Sequence, residues 1–191
     1  MPNKILVQAQ DDTPPQLTFA DFAADFAPTA ANDLREGADT QVQLIFTSVA
    51  DGAARQSTKG DLGENRAQEY AVRGAIEFAA TPTAGAVVEV YAAPSASSTA
   101  GTGNAGNVSG ADSAYSGYSS NLAASVLQLQ LIGVFICTVQ TTTTVQVAEI
   151  GRFFPTERHV SLVVKNESGA AFHSDDVECH IVLDPIIIEV Q

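Results

Sequence analysis

The chain has 191 residues, 45% of them hydrophobic, enough for one domain with its own core and no need of metal or disulfide staples. Only 9 Lys and Arg stand against 22 Asp and Glu, a formal net charge of −13, so the surface repels phosphate and disfavours a grip on nucleic acid or on an anionic membrane. Proteins or neutral ligands are the expected partners.

Residues 1–16 carry few core signals and the pair Pro14-Pro15, and read as an extended arm in which Ile5 and Leu6 are candidate contacts to a neighbour. The opening MPNKILVQAQDD lacks the apolar stretch of a signal peptide, and no run approaches the roughly 18 apolar residues of a membrane span. Synthesis in a cytoplasm is expected, so the N-x-[ST] triplets at Asn107 and Asn166 read as chance matches. From residue 17 a single domain is expected to run to residue 191. Phe19, Phe22 and Phe26 fall at helical spacing, with Thr18 as N-cap and Pro28 as stop, which predicts one short helix plugging an end of the core.

The period then switches to two. In TQVQLIFTSV, Val42, Leu44 and Phe46 share one face and Gln41, Gln43 and Ile45 the other, as in a half-buried strand. After a polar stretch over 50–68, EYAVRGAIEFA and AVVEVYAAP flank the turn TPTAG and read as a hairpin. Residues 94–121 are nearly all Ser, Ala, Gly, Thr or Asn, with Val108, Tyr115 and Tyr118 the only large apolar or aromatic side chains. So few anchors predict a long surface loop with no core of its own, pinned by Tyr115 and Tyr118 and contacting a partner through those residues and Val108. A helical turn over 111–118 is compatible with the pattern.

The last third is dense in strands. Leu127, Leu129, Leu131, Phe135 and Cys137 are expected on one face, Thr142 to Thr144 on an exposed strand face, and Pro185 restricts the final strand to an edge or a bulge. About seven or eight strands with little helix predict a mainly β fold, an antiparallel two-sheet sandwich of jelly-roll type. Cys137 and Cys179, the only cysteines, sit in apolar or alternating runs and read first as buried free thiols, with a bridge as the alternative.

Signals for chemistry are sparse. No G-x-S-x-G, phosphate loop or dinucleotide fingerprint occurs, and no cofactor is expected. Of His159, His173 and His180, the last alternates with Val177, Cys179, Ile181 and Leu183 and is expected at a surface or interface. His173-Ser174-Asp175-Asp176 is the most site-like cluster; Asp175 and Asp176 are weak candidates for a hard cation, although a turn uses the same residues for local hydrogen bonds. Convergence of His173, Asp175 and Asp176 in a pocket would mark a hydrolase, the least favoured reading. Asp61 and Glu64 read as a turn. Tryptophan is absent, which lowers the odds of a carbohydrate module, although Tyr70, Tyr91, Tyr115 and Tyr118 keep that alternative open.

The stretches STKGDLGENRAQEYAV (57–72), GNVSGADSAYSGYSSN (106–121) and IGRFFPTERHVSLVVKNESGAAFHSDD (150–176), with DPIIIEVQ at the end, resemble small virion proteins of tailed bacteriophages, of the capsid decoration (cement) or tail-associated kind. That resemblance implies a passive oligomer, a trimer in the first instance, bound to other virion proteins such as the major capsid protein. It implies location in the virion, and in the host cytoplasm before assembly, with no catalytic residues. A tail or fibre module that binds a receptor or glycan on exposed Tyr115 and Tyr118 is the alternative.

Overall fold

In the computed structural model, which describes residues 14–140 and 144–187, the chain is mainly β, with 38% of residues in strands and 8% in helix. The strands are β1 (Gln16–Ala20), β2 (Asp39–Gln43), β3 (Ala54–Gln56), β4 (Gly60–Asp61), β5 (Tyr70–Ile76), β6 (Val87–Ser95), β7 (Ser113–Ala114), β8 (Gln130–Ile136), β9 (Gln146–Phe153), β10 (His159–Glu167) and β11 (His180–Pro185). They form one curled sheet in the order β2-β1-β11-β5-β9-β8-β6-β10-β3-β7, with β4 also on β10. The sheet is mixed rather than wholly antiparallel, because β1 and β2 run parallel with Leu17 opposite Thr40.

The sheet has a hinge line. β8 and β9 share a single paired position, Gly133 opposite Gly151. A Cβ on Gly133 would lie 2.1 Å from the Ile150 carbonyl oxygen, and one on Gly151 2.5 Å from that of Ile132, so this crossing admits only glycine. A bulge flanks it on each strand, and the extra residues, Ile132 and Ile150, turn into the core. The two arms of the sheet that meet here curl until their far ends touch: the Thr58 amide, between β3 and β4, donates to the Gln43 carbonyl at the end of β2 over 3.0 Å.

One apolar core fills the curl. Leu17, Phe19, Val72 and Ile181 from one arm meet Val88, Val90, Phe135 and Leu162 from the other, all essentially free of solvent contact. Each such side chain contributes about 1.5–3 kcal/mol of burial. Val42, Leu44 and Phe46 point inward together, as their alternation predicts.

Several sequence expectations are corrected. Thr18 and Phe19, predicted to open a helix, lie on β1, because β11 and β2 pair with that segment on both sides. The tertiary pairing overrides a helical spacing of three phenylalanines, of which Phe22 and Phe26 stack edge to face just beyond the strand. The α-helix is instead α1 (Leu122–Ser125), capped by the Asn121 side chain accepting from the Ala124 amide at 3.1 Å. β5 and β6 make no hairpin: β9 and β8 lie between them, and the Thr83 amide of the connecting turn donates to Ser168, carrying the chain across to the other arm. β11 is an interior strand; Pro185 is tolerated because it is the last residue of the ladder, opposite Tyr70. Ile5 and Leu6 in the arm, and Thr142 and Thr143, lie outside the described residues.

Candidate functional site

The segment 94–121 is pinned by Tyr115, as expected, but not by Tyr118, and it joins an apolar cluster that it shares with the sheet. Val108 and Tyr115, with Val126 and Leu129 just beyond, pack on Ala54, Tyr91, Ala93 and Val163 as a second apolar cluster on the outer face of β3, β6 and β10. The sheet supplies half of this cluster, so the covering chain needs few large side chains. Tyr115 is buried and its hydroxyl donates to the Gly106 carbonyl at 2.5 Å, whereas Tyr118 is half exposed. Tyr115, Tyr118 and Val108 therefore form no exposed platform, and two of the three are anchors of the fold. An open cleft of about 370 Å³ beside Tyr115 is lined by Gln56 and Asn107. The Gln56 amide is already bonded to Ser113 and Ser109, and the Asn107 amide donates to Gly117.

The same pad is tied down by a cation. The Lys59 ammonium donates to Ser95 Oγ and to the carbonyls of Ser97, Thr99 and Thr102, all at 2.7–2.8 Å. Burial lowers its pKa, and the ring of oxygens answers its charge.

The turn cluster is structural as well. Asp176 is buried, and its carboxylate accepts from the amides of Phe46 (2.7 Å) and Thr47 (2.9 Å), fixing the chain where it leaves β2. Asp175 meets the His173 ring nitrogen Nδ1 only through its backbone amide and carbonyl. Among the described residues no group of three His, Cys, Asp or Glu is arranged to hold a metal ion. Asp61 receives Arg158 through two nitrogens at 2.8 Å and the Gly63 amide, and the guanidinium holds its carboxyl below the ordinary range; Glu64 joins the same arginine at 3.3 Å. Both cysteines are buried free thiols, and burial pushes Cys137 up to about 11 and raises Cys179 as well, so neither is a nucleophile.

His180, expected at a surface or interface, is fully buried within the chain. It does face away from the inner core, but residues 21–38 cross over it: Nε2 accepts from the Leu34 amide at 3.1 Å, Nδ1 donates to the Glu178 carbonyl at 2.8 Å, and the Phe26 ring packs edge-on at 5.2 Å. Desolvation lowers its pKa. Arg73, beside it, bonds Asp184, Glu36 and the Leu34 carbonyl.

Among the described residues, several large apolar side chains also remain exposed to solvent. Leu127, Leu131, Ile136, Val139 and Val147 are between 47% and 82% exposed: Leu127 in the turn before β8, Leu131 and Ile136 on β8, Val139 just after it and Val147 at the start of β9. Alternation alone places Leu131 with Phe135; the bulge at Ile132 shifts the phase, so Leu131 and Ile136 stand opposite Tyr91 and Val87 on the outer face while Phe135 points inward. Flanking Gln128 and Gln140 are exposed and uncharged. The signal was present in the sequence: from Ser113 to Ala148 there is no Asp, Glu, Lys, Arg or His.

Fold and surface thus define a class: a curled β-sheet protein whose exposed feature is an uncharged apolar strip. The sequence matches no family model and no curated protein.

Proposed function

We propose that the chain is a non-enzymatic structural protein of a bacteriophage virion, a decoration or cement protein that stabilises the particle through protein–protein contacts as a homo-oligomer. Under this reading the two arms of the sheet are the two layers of a jelly-roll-like sandwich, joined at Gly133 and Gly151. The observation that carries the reading is the strip of Leu127, Leu131, Ile136, Val139 and Val147 on an otherwise acidic molecule. Exposed large apolar side chains gathered on one stretch of chain and its neighbouring strand support a protein contact there. The commitment of the polar clusters near His173, Asp61 and Lys59 to holding the fold supports a binding role over a catalytic one.

The test is composition and heat. Mass spectrometry of purified particles should find the chain in many copies per particle, and particles lacking it should release their genome at a lower temperature until the purified protein is added back. Absence of the chain from particles, or unchanged release temperature on add-back, would overturn the reading.

A further inference from the structure

We infer that the apolar strip along β8 and the start of β9 is covered by a second copy of this chain. The inference rests on the structural-protein reading above and names one of its contacts. Two copies each carrying −13 repel at every acidic surface, and the closest approach they can make without bringing like charges together is through the stretch that has none. A basic partner would be met best at the acidic surface, where opposite charges pair, and not at an uncharged strip. The strip also suits a copy of itself. Leu131 and Ile136 can pack against their own equivalents, and the amides of Gln128 and Gln140 each offer a donor and an acceptor. Contact of one patch with the same patch is the self-complementary arrangement of a twofold pair. Two acids border the strip, and each has a basic partner: Glu89 on β6 meets Lys165 at 3.1 Å, and Glu149, two residues beyond Val147 on β9, meets Arg152 at 3.6 Å.

Salt gives a signature that ion-paired interfaces lack. Raising ionic strength from about 0.01 M to about 1 M shortens the screening length from about 30 Å to about 3 Å, which removes repulsion between the copies and leaves apolar contact intact. Light scattering on the full chain over a concentration series should therefore show mass rising above the monomer, and rising further with salt. Ile136→Glu and Val147→Glu should each return the protein to monomer, whereas Thr156→Glu, at an exposed position past the end of β9 opposite to Val147, should not; melting curves check that all three fold. A monomer at every concentration and salt would overturn the inference, as would association that weakens with salt or survives both strip variants. Adding the same proteins to depleted particles separates the two levels: a monomer that still binds and stabilises particles sinks the self-contact and leaves the virion reading standing.

Discussion

Two stretches of irregular chain cover the two outer faces of the sheet, and they are held by opposite means. Residues 21–38 lie over β11 and β5 and are half-buried at best beyond Asp21. Their attachments are polar: the Ala27 amide to Val177, the Thr29 amide to Glu178, the Leu34 amide to His180, and the Leu34 carbonyl to Arg73. The pad over β3, β6 and β10 is anchored by the buried side chains of Val108, Tyr115, Val126 and Leu129, with one ammonium beneath it. Apolar burial has no proton in its equilibrium and charged clamps do, so coil segments that look alike in a ribbon drawing should answer differently to truncation and to acid.

The largest expected effect is on the pad. Tyr115→Ala removes a buried ring and should cost about 3–5 kcal/mol in denaturant melts. A loss no larger than that of a surface substitution would mean that the pad contributes little to the fold. Next comes Lys59→Met, which keeps the stem and deletes the charge-assisted bonds to Ser95, Ser97, Thr99 and Thr102. A cost of about 1.5–3 kcal/mol is expected, with hydrogen exchange rising over 97–103 and unchanged over 22–36. Equal deprotection of both segments would show that they open as one unit.

The same contrast explains what could be read from the sequence. Alternation identified Val42, Leu44 and Phe46 as inward-facing, because all three pack on the core, although β2 itself ends at Gln43 and the last two lie beyond it. It failed at Leu131, since a bulge is one residue and leaves no mark in a period-two pattern. The hairpin expectation failed because nearness in sequence says nothing of strands inserted from the last third of the chain, here β8 and β9. The glycine pair at the crossing is visible only once residues 133 and 151 are known to touch. For segment 94–121 the anchor Tyr115 was legible, but counting only the segment's own anchors hid the cluster completed by the sheet beneath, Tyr91 and Val163. The uncharged run from Ser113 to Ala148 needed no structure at all.

The smallest effect is confined to residues 21–38 and turns on His180. In the closed form Nε2 must be unprotonated to accept from Leu34, and burial holds the ring's pKa below its ordinary value of about 6.5. Arg35, packed over Phe26, pushes in the same direction, while Glu178 and Asp33 push against it without reversing it. An opened segment returns the ring to water, so the open form binds more protons; the closed form is favoured above about pH 6.5 and loses that advantage as pH falls through the lowered value. Two carboxylates titrate lower down. Asp33 is depressed by its bond from Arg35, and Glu178 is depressed because hydrogen bonds from Thr29 and Asn32 outweigh the opposing effect of burial. Both sit beneath ordinary carboxylate values, so of these three groups bonded to or within the segment the histidine is the one that titrates between pH 7 and about 5. Native-state hydrogen exchange, corrected for intrinsic rates, should show protection of the Leu34 amide falling across that interval while the Tyr115 amide holds. His180→Gln, whose amide oxygen can still accept from Leu34, should flatten the response. A pH step that persists in this variant would place the proton on another group.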